Sequence, residues 1–344
     1  MAISVQILGK PGNDNALLVR IDSGQQISRL LFDCGEGCLN ELPPAEVLGI
    51  DHLFFSHLHM DHVSGFDTFF RANYSRESKP NRIWGPPETA SILQHRFRGY
   101  WWNLTSGQPG AWRIHEVHGG VIHTSLFELA DAFASRHDEE SKTVDDQGVL
   151  LEAKDYTVET LTMDHHGPSL AYLVRERPQL KVDARKIKER DLVPGPWVRD
   201  LLDDPGPKTV EISGKTFDLA ELRQELLTER SGDSVAYLTD FHLDDQAMDR
   251  LVPWLNGCDT LICEAQYRHD DLALAQQHHH ATTRLVGELA RRANVGRLIL
   301  IHLSRRYNVS EWLEMLGECR DVFPRAAFPE NWQDTLDGQT MTAE

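Results

Sequence analysis

The chain has 344 residues and carries 53 acidic against 35 basic side chains, which gives a net charge of −18. Its most apolar stretch, residues 298–303, is too short to cross a bilayer, so we expect no membrane-spanning helix. The acidic balance is the opposite of the basic surface that nucleic-acid-binding proteins usually carry, so any contact with nucleic acid must be local.

The five cysteines predict a reducing environment. They are an odd number in a long chain, which argues against a disulfide framework and for buried free thiols. The first residues, MAISVQILGK, are typical of a strand and lack the basic start and long apolar run of a secretory signal. We therefore expect a cytoplasmic protein.

Apolar runs that end at glycine or acidic turns recur along the chain and predict strands. These runs are residues 3–8, 16–21, 28–32, 52–56, 81–84, 156–163, 171–174, 234–238, 260–263 and 297–301. Helices are predicted at residues 63–74, 88–98 and 282–292. Because strands lead and helices follow in each half, the pattern is typical of an α/β protein with sheets packed between helical layers.

Two segments do not follow this pattern of alternating strands and helices. Residues 137–146 (HDEESKTVDD) are acidic and predict a solvated loop. Residues 175–230 contain PGPW and DDPGPK, show little apolar periodicity, and predict an inserted arm within a single domain that spans residues 1–344. The charge of the arm is split, because residues 174–190 have seven basic and three acidic side chains whereas residues 191–230 have five and nine.

Histidine is the most unusual feature of the composition, with 17 copies. Four side chains that can bind metal, His57, His59, Asp61 and His62, follow directly on the apolar run HLFFS. A loop after a strand can aim alternate side chains at different centres, so this spacing can supply ligands to two adjacent divalent metal ions. Histidines in a surface turn are the simpler alternative, but HxHxDH at a strand end followed by glycine is a specific pattern.

Further candidate ligands stand at the ends of later predicted strands. They are Asp164, His165, His166, Asp240 and His302. Taken singly, an aspartate after a strand is more often a helix cap than a ligand, and a histidine is more often an ordinary polar residue. Together, these residues come in the order and of the type needed to complete two metal sites.

With these motifs the sequence resembles the metallo-β-lactamase superfamily, and within it the ribonuclease Z family of tRNA 3′-processing endonucleases. The motifs that carry the resemblance span nearly the whole chain: LFDCGEG (31–37), SHLHMDHVSG (56–65), DHHGPSLAY (164–172), YLTDF (237–241), CEAQY (263–267), HHHATT (278–283) and LILIHLSRRY (298–307). In HHHATT, Ala281 stands where the family has serine. The PGP sequence of the inserted arm is similar to the proline-glycine motif of the family's tRNA-gripping arm, although the second half of that arm is acidic here.

The resemblance implies a four-layer αββα sandwich with a protruding arm and two Zn²⁺ ions per chain, with Mn²⁺ or Fe²⁺ as alternatives. The implied ligands are, for one ion, His57, His59 and His165, for the other, Asp61, His62 and His302, and for both, Asp240. His165 is preferred to His166 because its seven-residue step to Tyr172 matches the family pattern. Asp33 is implied to orient a histidine ligand without binding metal.

The resemblance also implies the catalytic residues, which are Asp61, His280 and Glu264. Two zinc ions that share a water lower its pKa and stabilise the charge that builds on a phosphodiester. The leaving oxygen needs a proton, and the implied donor is His280, oriented by Glu264. The alternative for His280 is a solvated histidine at a helix start, and its neighbours His278 and His279 are expected to be surface residues.

The leading hypothesis is therefore a dinuclear-zinc phosphodiesterase that cuts precursor tRNA on the 3′ side of the acceptor stem. The main alternative is a hydrolase of small phosphodiesters that uses the arm as a lid. A non-catalytic RNA-binding protein would normally have lost metal ligands, and a diiron redox protein on this fold would resemble HxExD rather than HxHxDH. The family is often dimeric, with the arm of one subunit reaching over its partner, so the resemblance allows a homodimer that nothing in the sequence itself indicates.

Overall fold

The computed structural model describes residues 2–145, 148–202 and 206–340. The strands in these ranges are β1 Ala2–Leu8, β2 Ala16–Asp22, β3 Ile27–Phe32, β4 His52–Phe54, β5 Asn81–Gly85, β6 Ala111–His118, β7 Val121–Glu128, β8 His137–Asp138, β9 Lys142–Thr143, β10 Val149–Glu152, β11 Tyr156–Asp164, β12 Pro168–Glu176, β13 Gln179–Val182, β14 Thr209–Ile212, β15 Lys215–Asp218, β16 Leu227–Arg230, β17 Ser234–Leu238, β18 Thr260–Glu264, β19 Arg297–Ile301 and β20 Ala326–Ala327. The α-helices are α1 Pro44–Gly49, α2 Met60–Val63, α3 Phe66–Asn73, α4 Thr89–Phe97, α5 Ala184–Glu189, α6 Trp197–Asp200, α7 Leu219–Leu226, α8 Asp245–Trp254, α9 Leu272–Gln277, α10 Thr283–Arg292, α11 Val309–Val322 and α12 Gln333–Thr340. Short 3₁₀ helices occur at Cys38–Glu41, Leu129–Asp131, His269–Asp271 and Glu330–Trp332.

Most strands belong to two mixed sheets. The first has the order β1-β2-β3-β4-β5-β6-β7-β8, with β9 also paired to β7, and its strands β3 to β6 run parallel. The second has the order β10-β11-β12-β17-β18-β19-β20, and its strands β17 to β20 run parallel. Because parallel strands end at the same edge, the residues that follow β17, β18 and β19 leave the second sheet side by side.

The two sheets pack face to face. Leu17 and Val19 of β2 belong to the core that the first sheet shares with the second, whereas the intervening Leu18 belongs to a separate core on the other face. This division follows from the alternation of side chains along a strand. Aromatic rings join the sheets directly, since the ring of Phe32 lies 5.4 Å from that of Tyr172 on β12.

Helices cover the outer face of each sheet. Phe66 of α3 and Phe97 of α4 are buried in the same core as Leu18, on the first sheet. Leu251 of α8 and Leu289 of α10 are buried in the core that contains the second sheet. Burying a side chain of this size contributes roughly 1.5–3 kcal/mol. The order of layers is therefore helix, sheet, sheet, helix, as expected from the pattern of strands and helices.

The acidic segment 137–146 is not the solvated loop that its composition predicts. β8 pairs with β7 in the register Ser125 to Asp138, and β9 pairs with β7 in the register Ile122 to Lys142. All side chains of β8 and β9 are nevertheless exposed. The charges of the segment predicted this exposure correctly but carried no information on backbone pairing to the edge of a sheet. Asp146 lies outside the described residues.

The segment Glu176–Gly232 forms a compact unit separate from the rest of the chain. It contains two two-stranded sheets, β13-β16 and β14-β15, together with α5, α6 and α7. Its own small apolar core consists of Ile187, Trp197, Leu201, Val210, Ile212, Leu219, Leu222 and Leu226. Short elements spread this core over many turns, which explains the weak apolar periodicity. Residues 203–205 of the DDPGPK motif lie outside the described residues, and the role of the unit as an arm stays a prediction.

The cysteines behave as predicted. Cys34, Cys38, Cys258, Cys263 and Cys319 are all free and buried. Burial raises the pKa of Cys38 to about 12, which keeps the thiol protonated and unreactive. In the part of the chain that the structure describes, no helix combines the length and apolar character needed to cross a membrane.

Candidate metal centre

The HxHxDH motif leaves the end of β4. All residues of β4 are buried, and His57 follows three residues after the strand ends. His57 is buried and His59 is exposed, and α2 then carries Asp61 and His62 in its single turn. The strand end and the short helix thus direct four metal-binding side chains to one place.

Other site residues follow their strands with an abrupt change of backbone direction. Asp33 after β3, Asp240 after β17 and His302 after β19 have φ values of 57°, 52° and 55°. Residues other than glycine rarely adopt this left-handed conformation, and it persists where the surrounding structure enforces it, often at functional sites.

One group of candidate ligands comprises His57, His59, His165 and Asp240, whose ligand atoms all lie within 4.8 Å of one another. Nε2 of His57 is 3.3 Å, and Nε2 of His165 is 3.9 Å, from Oδ2 of Asp240. His166 is exposed and lies outside this group. The fold therefore brings His165, and not His166, beside the other predicted ligands.

A second group comprises Asp61, His62, His302 and again Asp240, also with ligand atoms within 4.8 Å. Nε2 of His62 and Nε2 of His302 each lie 3.3 Å from Oδ2 of Asp61. Oδ2 of Asp240 is 3.0 Å from Nε2 of His62, and its Oδ1 is 3.2 Å from Nδ1 of His302. Asp240 belongs to both groups, which is the position expected of a bridging ligand.

Three buried ring nitrogens without a well-aligned hydrogen bond indicate that these groups could hold a cation. Nε2 of His57, Nε2 of His62 and Nδ1 of His302 are buried and, within the described ranges, make no well-aligned hydrogen bond, although each lies 3.0–3.3 Å from an oxygen of Asp240. Burying polar atoms without a well-aligned hydrogen bond is costly, and a cation between the imidazoles and the carboxylates would satisfy both. Imidazole nitrogen with carboxylate oxygen is a donor set that suits zinc and also manganese or iron. The residues present therefore fit divalent metal ions.

Outer hydrogen bonds orient the imidazoles. Nδ1 of His62 is 2.8 Å from Oδ2 of Asp33, and the Tyr237 hydroxyl donates to the same oxygen at 2.9 Å. The backbone N–H of Ser56 donates to Oδ1 of Asp33 at 2.7 Å, and the Ser56 hydroxyl lies 3.1 Å from Nδ1 of His57. Such partners hold the outer nitrogen of each ring and leave Nε2 for the centre. Asp33 lies where the resemblance implied.

Burial and mutual charge set the protonation of the site. Burial lowers the pKa of His57 to about 2 and also lowers that of His165, so both rings are neutral and can offer a lone pair. Burial opposes the charge on Asp240, but His302 and His62 hold its pKa well below the usual range. Burial likewise disfavours charge on His62, yet the carboxylates of Asp240 and Asp33 together outweigh it and raise the pKa. A proton thus competes with a metal ion at His62.

His280 and Glu264 form a pair beside both groups. Nδ1 of His280 is 2.9 Å from Oε2 of Glu264, whose other oxygen accepts a hydrogen bond from the backbone N–H of Phe241 at 2.9 Å. Burial disfavours a charged His280, but the Glu264 carboxylate raises its pKa to about 9. Nδ1 of His280 also lies 3.9 Å from Oδ1 of Asp240. Ala281, in the place of the family's serine, is fully buried.

Some site residues were not predicted from the sequence. Oδ1 of Asn15 accepts the backbone N–H of His302 at 3.1 Å, and no local pattern marks this contact between the ends of the chain. His279, which we expected to be a surface residue, is partly exposed, and its carbonyl oxygen accepts a hydrogen bond from Nδ1 of His165 at 2.9 Å. The backbone at His279 is left-handed, with φ 53°, and adjacency to His280 was the available signal.

Solved structures with the same architecture identify the fold. The metallo-β-lactamase fold protein YhfI from Bacillus subtilis superposes with a TM-score of 0.55 at 16% identity, over 95% of each chain. Human tRNase Z, short form, superposes with a TM-score of 0.52 at 17% identity, over 89% of this chain and 94% of that one. The expected αββα fold of the metallo-β-lactamase type is thereby confirmed.

Sequence comparison gives the family. Residues 28–173 match the family described as Beta-lactamase superfamily domain. A relative from Deinococcus radiodurans named ribonuclease Z is 48% identical over 330 residues, which cover 96% of this chain and 98% of that protein. With this identity over nearly the full length of both chains, the protein belongs to the ribonuclease Z family of metal-dependent endoribonucleases.

Proposed function

We propose that this protein cleaves precursor tRNA on the 3′ side of the acceptor stem with the help of two divalent metal ions. The observation that carries the proposal is the position of Asp240, which belongs to both groups of metal-binding side chains, with the His280–Glu264 pair beside it. The name of the 48% identical relative supports RNA as the substrate class. Cleavage in the cytoplasm by a homodimer belongs to the same proposal.

The proposed ligands are those that the family resemblance implied. For one ion they are His57, His59 and His165, for the other Asp61, His62 and His302, and for both Asp240. When bound, such ions, most simply Zn²⁺, supply Lewis acidity that activates water and offsets the negative charge of a phosphodiester. Asp33 holds Nδ1 of His62 and thereby limits which way that ring can turn.

His280 would supply the proton that the leaving oxygen needs. As water attacks phosphorus, the bond to the leaving oxygen breaks, and that oxygen takes a proton from Nε2 of His280. Nε2 is the nitrogen available for this step, because Nδ1 faces Glu264. A pKa of about 9 means that His280 is protonated at neutral pH. The Glu264 carboxylate beside Nδ1 stabilises the imidazolium before the transfer.

The basic half of the arm offers contacts for the RNA backbone. Lys181, Arg185 and Lys188 are exposed, and Lys186 is partly exposed. Lysine and arginine that neutralise phosphates give a binding term that depends on salt and not on base sequence. With a net charge of −18 on the whole chain, this local patch is the surface from which we expect tRNA affinity to come.

The decisive experiment compares a 3′-extended tRNA precursor with bis-p-nitrophenyl phosphate on the same enzyme preparation. We expect both to be hydrolysed, with a much higher kcat/KM for the precursor. Hydrolysis of the small diester without precursor cleavage would contradict the proposal and favour the small-molecule alternative, which the acidic surface also favours. Failure on both substrates in metal-loaded protein would contradict the catalytic assignment itself.

A further inference from the structure

A third cluster of metal-binding side chains lies outside the two groups around Asp240. It comprises Asp164, His242 and His279, whose ligand atoms lie within 4.8 Å of one another. Asp164 ends β11, His242 lies between β17 and α8, and His279 lies between α9 and α10. The Asp164 side chain is 63% exposed and that of His279 is 23% exposed, so the cluster is open to solvent.

Nδ1 of His279 faces both a carboxylate oxygen and a backbone N–H group. Its Nδ1 lies 3.0 Å from Oδ2 of Asp164, and the backbone N–H of His166 donates to the same nitrogen at 3.3 Å. In the tautomer that accepts this hydrogen bond, Nδ1 has no proton for the carboxylate. A lone pair and a carboxylate oxygen then face each other, and a cation resolves this repulsion.

His242 is held in the cluster without a polar partner for its ring. Among the described residues its side chain makes no hydrogen bond or ion pair, and its contact is a stack on His279 with centroids 4.9 Å apart. The other ring stacked on His279 is that of His166, at 3.8 Å. The backbone N–H of His242 donates to the carbonyl oxygen of Asp164 at 2.8 Å. Stacking and this hydrogen bond therefore arrange the ring nitrogens before any ligand binds.

We propose that Asp164, His242 and His279 form a third metal site, at the rim of the candidate centre, for a divalent transition metal such as Zn²⁺, Co²⁺ or Ni²⁺. Two imidazole nitrogens and one carboxylate oxygen are ligands that these ions prefer, and three protein ligands leave positions for water. The site binds more weakly than the buried groups, because the exposed Asp164 side chain loses rotamer freedom on binding.

The rim site is connected to the candidate centre through one peptide segment. The carbonyl oxygen of His279 accepts a hydrogen bond from Nδ1 of His165, and the next residue, His280, pairs with Glu264. The rim site and the candidate centre are therefore joined through the loop that carries His279 and His280.

Equilibrium dialysis of the purified full chain against Zn²⁺, followed by metal analysis, tests the proposal. Wild type should bind one more ion per chain than His242→Ala, or should bind that ion about 100-fold more tightly. Loss of a residue that only hydrogen-bonds to a metal ligand already weakens metal affinity by about 10–100-fold. His278→Ala is the matched control, because it removes an exposed imidazole from the same loop but outside the cluster. This control should retain the ion.

Two outcomes would overturn the rim site: equal Zn²⁺ binding by wild type and His242→Ala, or an equal loss in His278→Ala, which would mean non-specific binding to surface histidines. If His242→Ala fails to fold, as judged by thermal unfolding, Asp164→Asn carries the same test, because that side chain is largely exposed. The readout is a difference between variants. It therefore holds whether or not the groups around Asp240 bind two ions, and its failure is separate from failure of the proposed function.

Discussion

Oε2 of Glu264 lies 2.9 Å from Nδ1 of His280, and the Glu264 side chain has no exposed surface. Its attraction for an imidazolium outweighs the cost of burying one, so the pKa of His280 rises to about 9. A carboxylate inside the protein thereby keeps a proton available beside the candidate metal ligands.

Glu264→Gln should move the alkaline limit of hydrolysis to lower pH. A general acid works only while protonated, so the rate falls as pH rises through its pKa. Without the carboxylate, the pKa of His280 should fall from about 9 toward the ordinary histidine value of 6.5. The measurement is the pH profile of kcat on an unactivated diester, with Glu288→Gln on α10 as a control. An unchanged alkaline limb would show that Glu264 does not set the acid.

His280→Ala should separate proton transfer from metal binding. We expect an unactivated ester to slow by ~10²–10⁴, the usual range for a general acid, because its leaving oxygen needs the proton. Bis-p-nitrophenyl phosphate should slow much less, since its leaving group is stable as an anion. Rates on both esters and metal content after dialysis are the measurements, with His278→Ala for comparison. Equal slowing of both esters, or loss of metal, would rule out His280 as the acid.

Asp240→Ala and His59→Ala should each abolish hydrolysis and lower metal content, Asp240→Ala more severely because that residue belongs to both groups of ligands. Metal analysis should give two tightly held ions per chain in wild type, most simply zinc. Removal of these ions by a chelator should lower the unfolding temperature, because an ion that binds the native state stabilises that state. Asp249→Ala changes an exposed carboxylate and should alter none of these values. Full hydrolysis in either site variant would disprove the two-metal assignment.

His165→Ala and His166→Ala should behave differently. His165 is buried with Nε2 3.9 Å from Asp240, so its loss should remove one tightly held ion. His166 is exposed and stacks on His279, so its loss should leave the tightly held ions in place. Metal content after extensive dialysis decides between them. The reverse result would mean that His166 is the ligand.

Neutralising Lys181, Arg185, Lys186 and Lys188 together should raise KM for precursor tRNA and leave turnover of bis-p-nitrophenyl phosphate unchanged. For every RNA phosphate that is no longer neutralised, the magnitude of the slope of log affinity against log salt concentration should decrease by about 0.9. A matched control neutralises four basic residues from the acidic half of the arm: Arg199, Lys208, Lys215 and Arg230. An equal effect of both sets would indicate general charge rather than a tRNA-binding surface.

Much of the fold was predictable from local sequence. Apolar runs such as residues 16–21 and 297–301 coincide with β2 and β19, because the burial of a strand requires an alternating or continuous run of apolar residues along the sequence. The pairing of β8 and β9 with β7 was not predictable. Their side chains are exposed, and the hydrogen bonds that hold them belong to the backbone, which every residue type offers.

The candidate site also has a part that local sequence predicts and a part that it does not. The HxHxDH loop is local, so its position after a buried strand is enough to indicate metal chemistry. The choice of His165 over His166 depends on backbone direction, because His166 has φ 55° and points its ring toward His279. The cluster of Asp164, His242 and His279 joins three distant segments. Its members meet because sheet and loop packing brings those segments together, and no spacing along the chain encodes that distance.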